Sequence, residues 1–204
     1  MIYRQNFTFY QKKTGIADFQ GNWAARKIGL IAACWALIFV TIAPMSAFGD
    51  EDKRLDLKAV PGTVFPDDRL ETKDGTGFAI ASHEGALLIN FWASWCAPCV
   101  HELPELAKAS EILSQDNMPI SVVLISVDRK GAEHAQNFLD ERHITGVISA
   151  YNPSSSWPRA LGLSGLPSTY LIGANRKDIY LLHGPAAWAD EAVIAQIRQA
   201  IGGQ

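Results

Sequence analysis

Cysteine is scarce. The 204 residues contain three, Cys34, Cys96 and Cys99. With no second Cys-x-x-Cys, and only the scattered His83, His101, His134, His143 and His183 to add, the chain lacks the four-ligand set of a structural zinc site. A disulfide framework of several bridges is excluded for the same reason. Internal repeats and low-complexity tracts are missing too, which rules out solenoids and biased disordered regions. Basic charge is concentrated at one end. Arg4, Lys12, Lys13, Arg26 and Lys27 precede residue 28 against one acid, Asp18. Of the chain's 18 basic and 21 acidic residues, that leaves 13 and 20 beyond it, a net charge of −7, so no nucleic-acid footprint is expected. Hydrophobic residues at 48% and charged ones at 19% describe a globular chain, long enough for one domain plus an extension.

One long apolar run stands out. Residues 28–48 are apolar, with Arg26-Lys27 before and Asp50-Glu51-Asp52 after, the charge asymmetry of an export signal whose positive end stays inside. Two readings remain open for 1–49, a basic tail plus a cleaved signal ending at Ala47-Phe48-Gly49, or the same tail plus an uncleaved anchor. In a third, Ile31-Ala32-Ala33-Cys34 is an acylation box, but Trp35 to Ala43 stays apolar where a mature lipoprotein turns polar, so Cys34 is read as an apolar filler. Residues 50–57 are a charged linker, and 58–204 the exported domain. Export leaves Cys96 and Cys99, an even pair suited to an oxidising compartment.

Those two lie in Phe91-Trp92-Ala93-Ser94-Trp95-Cys96-Ala97-Pro98-Cys99. The run Ala86 to Phe91 reads as a buried strand feeding a helix that starts at Cys96 and runs to about Gln115 with Pro104 inside it. Unpaired N–H groups and the dipole at a helix start favour an anion, so a thiol of pKa ~8.5 falls to ~7 or lower there and attacks as thiolate. Cys99, one turn on, is placed to resolve the mixed disulfide. A ring this small removes little chain entropy, which argues against a purely structural staple. Redox chemistry by a cysteine pair needs no cofactor or metal ion. Two competing readings use the same pair: an oxidase that donates its disulfide, and a copper-binding chaperone using Cys96, Cys99 and a histidine.

Beyond the cysteines, strands are expected over 120–127 and 146–151 and a helix over 131–142 with Ala135, Phe138 and Leu139 inward. The serines of Asn152 to Ser156 are expected to cap a short helix over 157–161. Strands over 169–172 and 179–183 pair as a hairpin. Asp190 caps a last helix whose Val193, Ile194, Ile197, Ala200 and Ile201 form one stripe. Lys73 to Gly77 reads as a turn between two short edge strands. The order predicts an α/β domain, a central mixed sheet with helices on both faces.

Asn90 to Cys99, Glu102, Pro104 and the later Gly165-Leu166-Pro167-Ser168-Thr169-Tyr170-Leu171-Ile172 resemble the TlpA/ResA branch of the thioredoxin superfamily, over roughly residues 58 to 201. The resemblance implies a thioredoxin-like fold with an N-terminal β-hairpin extension and a Cys96–Cys99 redox disulfide. It implies a cis Leu166–Pro167 peptide offering backbone groups to a client strand, with Trp95, Ala97 and Pro98 completing the docking surface. Where thioredoxin itself carries a strand acid this chain has Asn90, which takes no proton. Glu102, one helical turn beyond Cys99, is then the candidate base for that thiol. Trp92, Trp157 and Trp188 are read as packing and His101 as surface; the His183-Gly184 pair with Trp188 resembles the family's C-terminal pattern without chemistry of its own. The implied setting is the periplasm or the periplasmic face of the inner membrane. Implied partners are client disulfides, in apocytochrome c or copper-assembly proteins, and a membrane electron-donor protein.

Overall fold

The computed structural model describes residues 54–115 and 120–202. The basic tail, the apolar run 28–48, Cys34 and the first part of the linker lie outside them. Among the described residues, no helix is long and apolar enough to cross a membrane.

Seven strands form one mixed sheet: β1 (Lys58–Ala59), β2 (Glu71–Thr72), β3 (Ala86–Trp92), β4 (Ile120–Ser126), β5 (Ile148–Tyr151), β6 (Ser168–Ile172) and β7 (Ile179–His183). Their spatial order is β1-β7-β6-β3-β4-β5-β2. β3 pairs parallel with β4, β4 parallel with β5, and β6 antiparallel with both β3 and β7. The helices are α1 (Ala97–Ser114), α2 (Ala132–Glu141), α3 (Ser156–Ala160) and α4 (Glu191–Gly202). Parallel neighbours require a crossover, supplied by α1 between β3 and β4 and by α2 between β4 and β5. All seven residues of β3 and all five of β6 are buried, so both faces of the sheet centre are covered, as the near-continuous apolar runs imply.

α1 continues through Pro104, which lacks the N–H that would reach the Val100 carbonyl. α4 packs through Val193, Ile194 and Ile197, and Asp190 Oδ1 accepts from the Ala192 N–H at 3.0 Å, as expected of its cap. Leu55 and Leu57, at the end of the linker, pack against the core, and the Leu55 N–H donates to Gln196 Oε1 at 3.0 Å.

Three local expectations change. β5 begins at Ile148 because Gly146 is left-handed at φ 74, a conformation a strand cannot hold. α3 is capped by Asn152, whose Oδ1 accepts from the Trp157 N–H at 3.1 Å, since Ser155 is itself left-handed and makes no side-chain cap bond. The turn at 73–77 forms, but its flanks meet only at the Leu70–Phe78 bridge. Glu71–Thr72 pairs instead with Ala150 and Tyr151 at the sheet edge, so little of the expected hairpin is a free-standing pair.

Candidate active site

β3 ends at Trp92 and α1 begins five residues later, so the cysteines stand at the C-terminal edge of the central strand. Cys96 is the N-cap of α1, in extended backbone, and its Sγ accepts from the Cys99 N–H at 3.4 Å. Pro98 falls in the first helical turn, where its missing N–H costs no bond. Cys96 and Cys99 are joined as a disulfide with Cα atoms 5.3 Å apart. Cys96 is 6% exposed and Cys99 is fully buried, so a partner can reach only the first sulfur. Ala97 and Pro98 are exposed beside it, and Trp95 is 70% exposed, a large aromatic left in water at the rim of the disulfide. Trp92 is core, its ring 5.7 Å from that of Phe138.

The Leu166–Pro167 bond is cis. Ser168 pairs with Phe91, so Pro167 lies just beyond the end of β6 that adjoins the cysteine loop. Its carbonyl accepts from the Gly184 N–H at 3.0 Å. Ser168 donates its one hydroxyl proton to the Gly165 carbonyl at 2.8 Å, so the 3.0 Å contact with His183 Nδ1 has the imidazole as donor.

Glu102 is 1% exposed and lies one turn along α1 from Cys99. Its Oε1 accepts from Asn90 Nδ2 at 2.8 Å; its Oε2 accepts from Trp188 Nε1 at 2.8 Å and from the Ala186 N–H at 3.2 Å. Burial raises the Glu102 pKa above the ordinary carboxylate value, and the bonds from Trp188, Asn90 and Ala186 bring it part of the way back. Asn90, read in the sequence only as the replacement of a strand acid, is thus a hydrogen-bond donor to Glu102. Asn90 Nδ2 also donates to Thr169 Oγ1 at 2.9 Å, while Asn90 Oδ1 is buried without a partner among the described residues. Trp188 does more than the packing expected of it. No local sequence pattern joins residues 86 positions apart, and the signal available was the buried acid itself, which must find donors.

Beneath the cysteine loop lies a group that local sequence patterns did not single out. Asp128, 4% exposed and two residues beyond the end of β4, accepts from the Ser94 N–H at 2.8 Å, Ser94 Oγ at 3.0 Å and Ser126 Oγ at 3.2 Å. Ser94 has one hydroxyl proton and the carboxylate takes it, so His134 Nε2, 3.1 Å from Ser94 Oγ, is the donor in that contact. With the imidazole donating to the serine, this is no nucleophile–base pair. It is an anchor for the loop carrying Trp95 and Cys96. His101 is exposed, as expected. Among the described residues, no three His, Cys, Asp or Glu side chains cluster as a metal site.

A disulfide across a helix start, its inner cysteine buried one helical turn from a buried carboxyl and a cis-proline loop at the adjoining strand end, defines a thioredoxin-like protein with one cysteine pair. Comparison with known proteins agrees. The Redoxin family matches residues 60–196, and the chain belongs to it. The thiol:disulfide interchange protein HelX of Rhodobacter capsulatus is 32% identical over 99 residues, 48% of this chain and 52% of HelX. The thiol-disulfide oxidoreductase ResA of Geobacillus thermodenitrificans is 26% identical over 117 residues, 57% of this chain and 65% of ResA. The thiol:disulfide interchange protein DsbE of Vibrio cholerae is 30% identical over 145 residues, 68% of this chain and 72% of DsbE. The chain thus spans about half of HelX and just under two thirds of ResA. Among solved structures, a thiol:disulfide interchange protein DsbE from Chlorobium tepidum aligns over 70% of this chain and 99% of its own at a TM-score of 0.60 and 26% identity. StoA from Bacillus subtilis shares the fold, at a TM-score of 0.50 and 19% identity over 65% of this chain and 100% of its own.

Proposed function

We propose that the chain is a thiol-disulfide oxidoreductase that reduces disulfides of selected client proteins. The observation that carries the reading is the asymmetry of the pair, with Cys96 at the helix N-cap and Cys99 fully buried one turn from Glu102. In the reduced state the Cys99 N–H that now faces Cys96 Sγ, with the other free N–H groups of the helix start, favours a Cys96 thiolate. That thiolate attacks one sulfur of a client disulfide, forming a mixed disulfide and releasing the other client sulfur as thiolate. Cys99 then gives its proton to Glu102, and its thiolate attacks Cys96 Sγ. The second client sulfur leaves. The client disulfide has gained two electrons, and Cys96–Cys99 has lost two. A dithiol donor protein of the membrane returns the pair to the reduced state.

In this reading Trp95, Ala97, Pro98, Leu166 and Pro167 form the docking surface, where backbone groups beside the cis-proline hold the client strand and Trp95 covers it. Residues 28–48 with their flanking charges support a location in the periplasm or on the periplasmic face of the inner membrane. Apocytochrome c and copper-assembly proteins are the proposed clients. That HelX and DsbE are named interchange proteins supports the exchange chemistry, not a particular client.

The test is trapping. In cells, the full-length Cys99→Ser variant should accumulate as a mixed disulfide with its client through Cys96, released by reductant, while Cys96→Ser should trap none. Absence of any adduct would count against reduction of clients. A reduction potential well above that of thioredoxin, near ~−120 mV, would move the protein to the donating oxidases.

A further inference from the structure

The loop before α4 is tied by four bonds to the cis-proline and to α1. The Gly184 N–H donates to the Pro167 carbonyl, Ala186 N–H and Trp188 Nε1 donate to Glu102 Oε2, and the Ala189 N–H donates to Glu105 Oε2 at 3.3 Å. One short segment therefore touches both the cis-proline and the candidate base. Its one side-chain contact to that base is Trp188, itself 1% exposed.

We propose that Trp188 is a positioning residue that fixes Glu102 in its proton-accepting form beside Cys99, through the bond from its indole Nε1 to Glu102 Oε2. This rests on the reading of Glu102 as the base for Cys99. The chemistry of the two side-chain partners separates their roles. Asn90 can turn its amide and present Oδ1, which has no partner, to a protonated carboxyl. An indole N–H only donates, so its charge-assisted bond to the carboxylate is stronger than the one it can make to the carbonyl oxygen of the carboxylic acid, and it favours the anion. Glu102 must be anionic at the moment Cys99 loses its proton and must then hold that proton. Trp188 biases it toward the first of these states, opposing the burial that favours the second. The groups bonded to Glu102 are Asn90 from β3, with Thr169 of β6 behind it, and Ala186 and Trp188 from the loop, and Cys99 lies one turn back on its own helix. Glu105, the next acid along α1, is engaged by Ala189. Among the described residues, no charged side chain moves the Glu102 pKa.

The test uses the full-length reduced chain and its reaction with 5,5′-dithiobis(2-nitrobenzoate). The first thionitrobenzoate reports attack by Cys96, and the second, displaced when Cys99 attacks Cys96 Sγ, reports resolution. Trp188→Phe keeps an aromatic ring and removes the donor. The acid limb of the resolution pH profile should move to higher pH by about one pH unit, an about tenfold loss along that limb that disappears on the plateau above it. In a Glu102→Gln background the same substitution should change the rate less than about twofold, because the two act as one unit. A loss equal at all pH values, or no shift of the limb, would overturn the proposal and leave Trp188 as packing.

A second measurement needs no substitution. In the wild-type protein the Trp188 Nε1–H resonance should follow pH with the same midpoint as the Glu102 carboxyl carbon. An indole signal that stays fixed while Glu102 titrates would overturn the proposal even if Trp188→Phe fails to fold. If Glu102→Gln leaves resolution unchanged, the base assignment fails; coincident indole and carboxyl titrations would still show Trp188 holding the Glu102 carboxylate.

Discussion

Ser94 and Asp128 are joined twice across 34 residues, through the Ser94 N–H at 2.8 Å and its hydroxyl at 3.0 Å. The Asp128 carboxylate thereby fixes the backbone two residues before Cys96, in a loop that has neither helical nor sheet bonds of its own at Ser94. A loop that leaves Trp95 exposed is held in place by this anchor rather than by packing of its own large side chain.

Asp128→Ala should therefore destabilise the protein by about 2 kcal/mol, the cost of leaving the half-buried Ser94 N–H and the Ser94 and Ser126 hydroxyls without their acceptor. Chemical denaturation measures the loss, and amide hydrogen exchange at Ser94 should accelerate selectively. A loss under about 0.5 kcal/mol with unchanged exchange would show that the two bonds hold nothing in place.

Reduction should expose a large difference between the two thiols. A brief pulse of iodoacetamide, followed by mass spectrometry, should label Cys96 at least about tenfold faster than Cys99, since only Cys96 has surface access and the helix-start donors. Equal labelling would contradict the division into attacking and resolving sulfurs.

Glu102→Gln keeps the size of the side chain and removes the base. Resolution of a Cys96 mixed disulfide should slow about 10²-fold at neutral pH, toward the lower end of general-base effects because a thiol is already partly ionised there. The deficit should shrink as pH rises and Cys99 ionises unaided. Stopped-flow profiles that coincide with wild type from pH 6 to 9 would remove Glu102 from the reaction.

Much of the frame was legible in the sequence because it is local. Ala86 to Trp92 is apolar except at Asn90 and is buried throughout; the stripe of α4 and its Asp190 cap follow from periodicity and one carboxylate at the right place. The cis peptide at Pro167 came from the resemblance, since proline alone predicts trans far more often. What local patterns do not carry is backbone hand and distant pairing. Gly146 looks like the start of a strand until its left-handed φ delays β5, and Ser155 looks like a cap until the same conformation hands that role to Asn152. Asp128 and Trp188 reach the site across 34 and 86 residues, through bonds that only the folded chain brings within range.

The last prediction concerns stability. Burial places the Glu102 pKa above its ordinary value of 4.5, and an unfolded chain restores that ordinary value. Between the two, the folded protein binds more protons than the unfolded one, so stability falls as pH rises through that window. The Glu102 contribution is complete below the unfolded value and is lost once pH passes the folded one. Glu102→Gln does not titrate and lacks this slope. The difference in Tm between wild type and Glu102→Gln should therefore move against wild type as pH rises from about 4.5, and level off above the raised pKa. Thermal melts of the oxidised proteins from pH 4 to 8 measure it with the thiols removed from titration. A difference that is flat across this range, or that moves in favour of wild type, would show that the three donors outweigh burial and that Glu102 is a carboxylate of ordinary or lowered pKa.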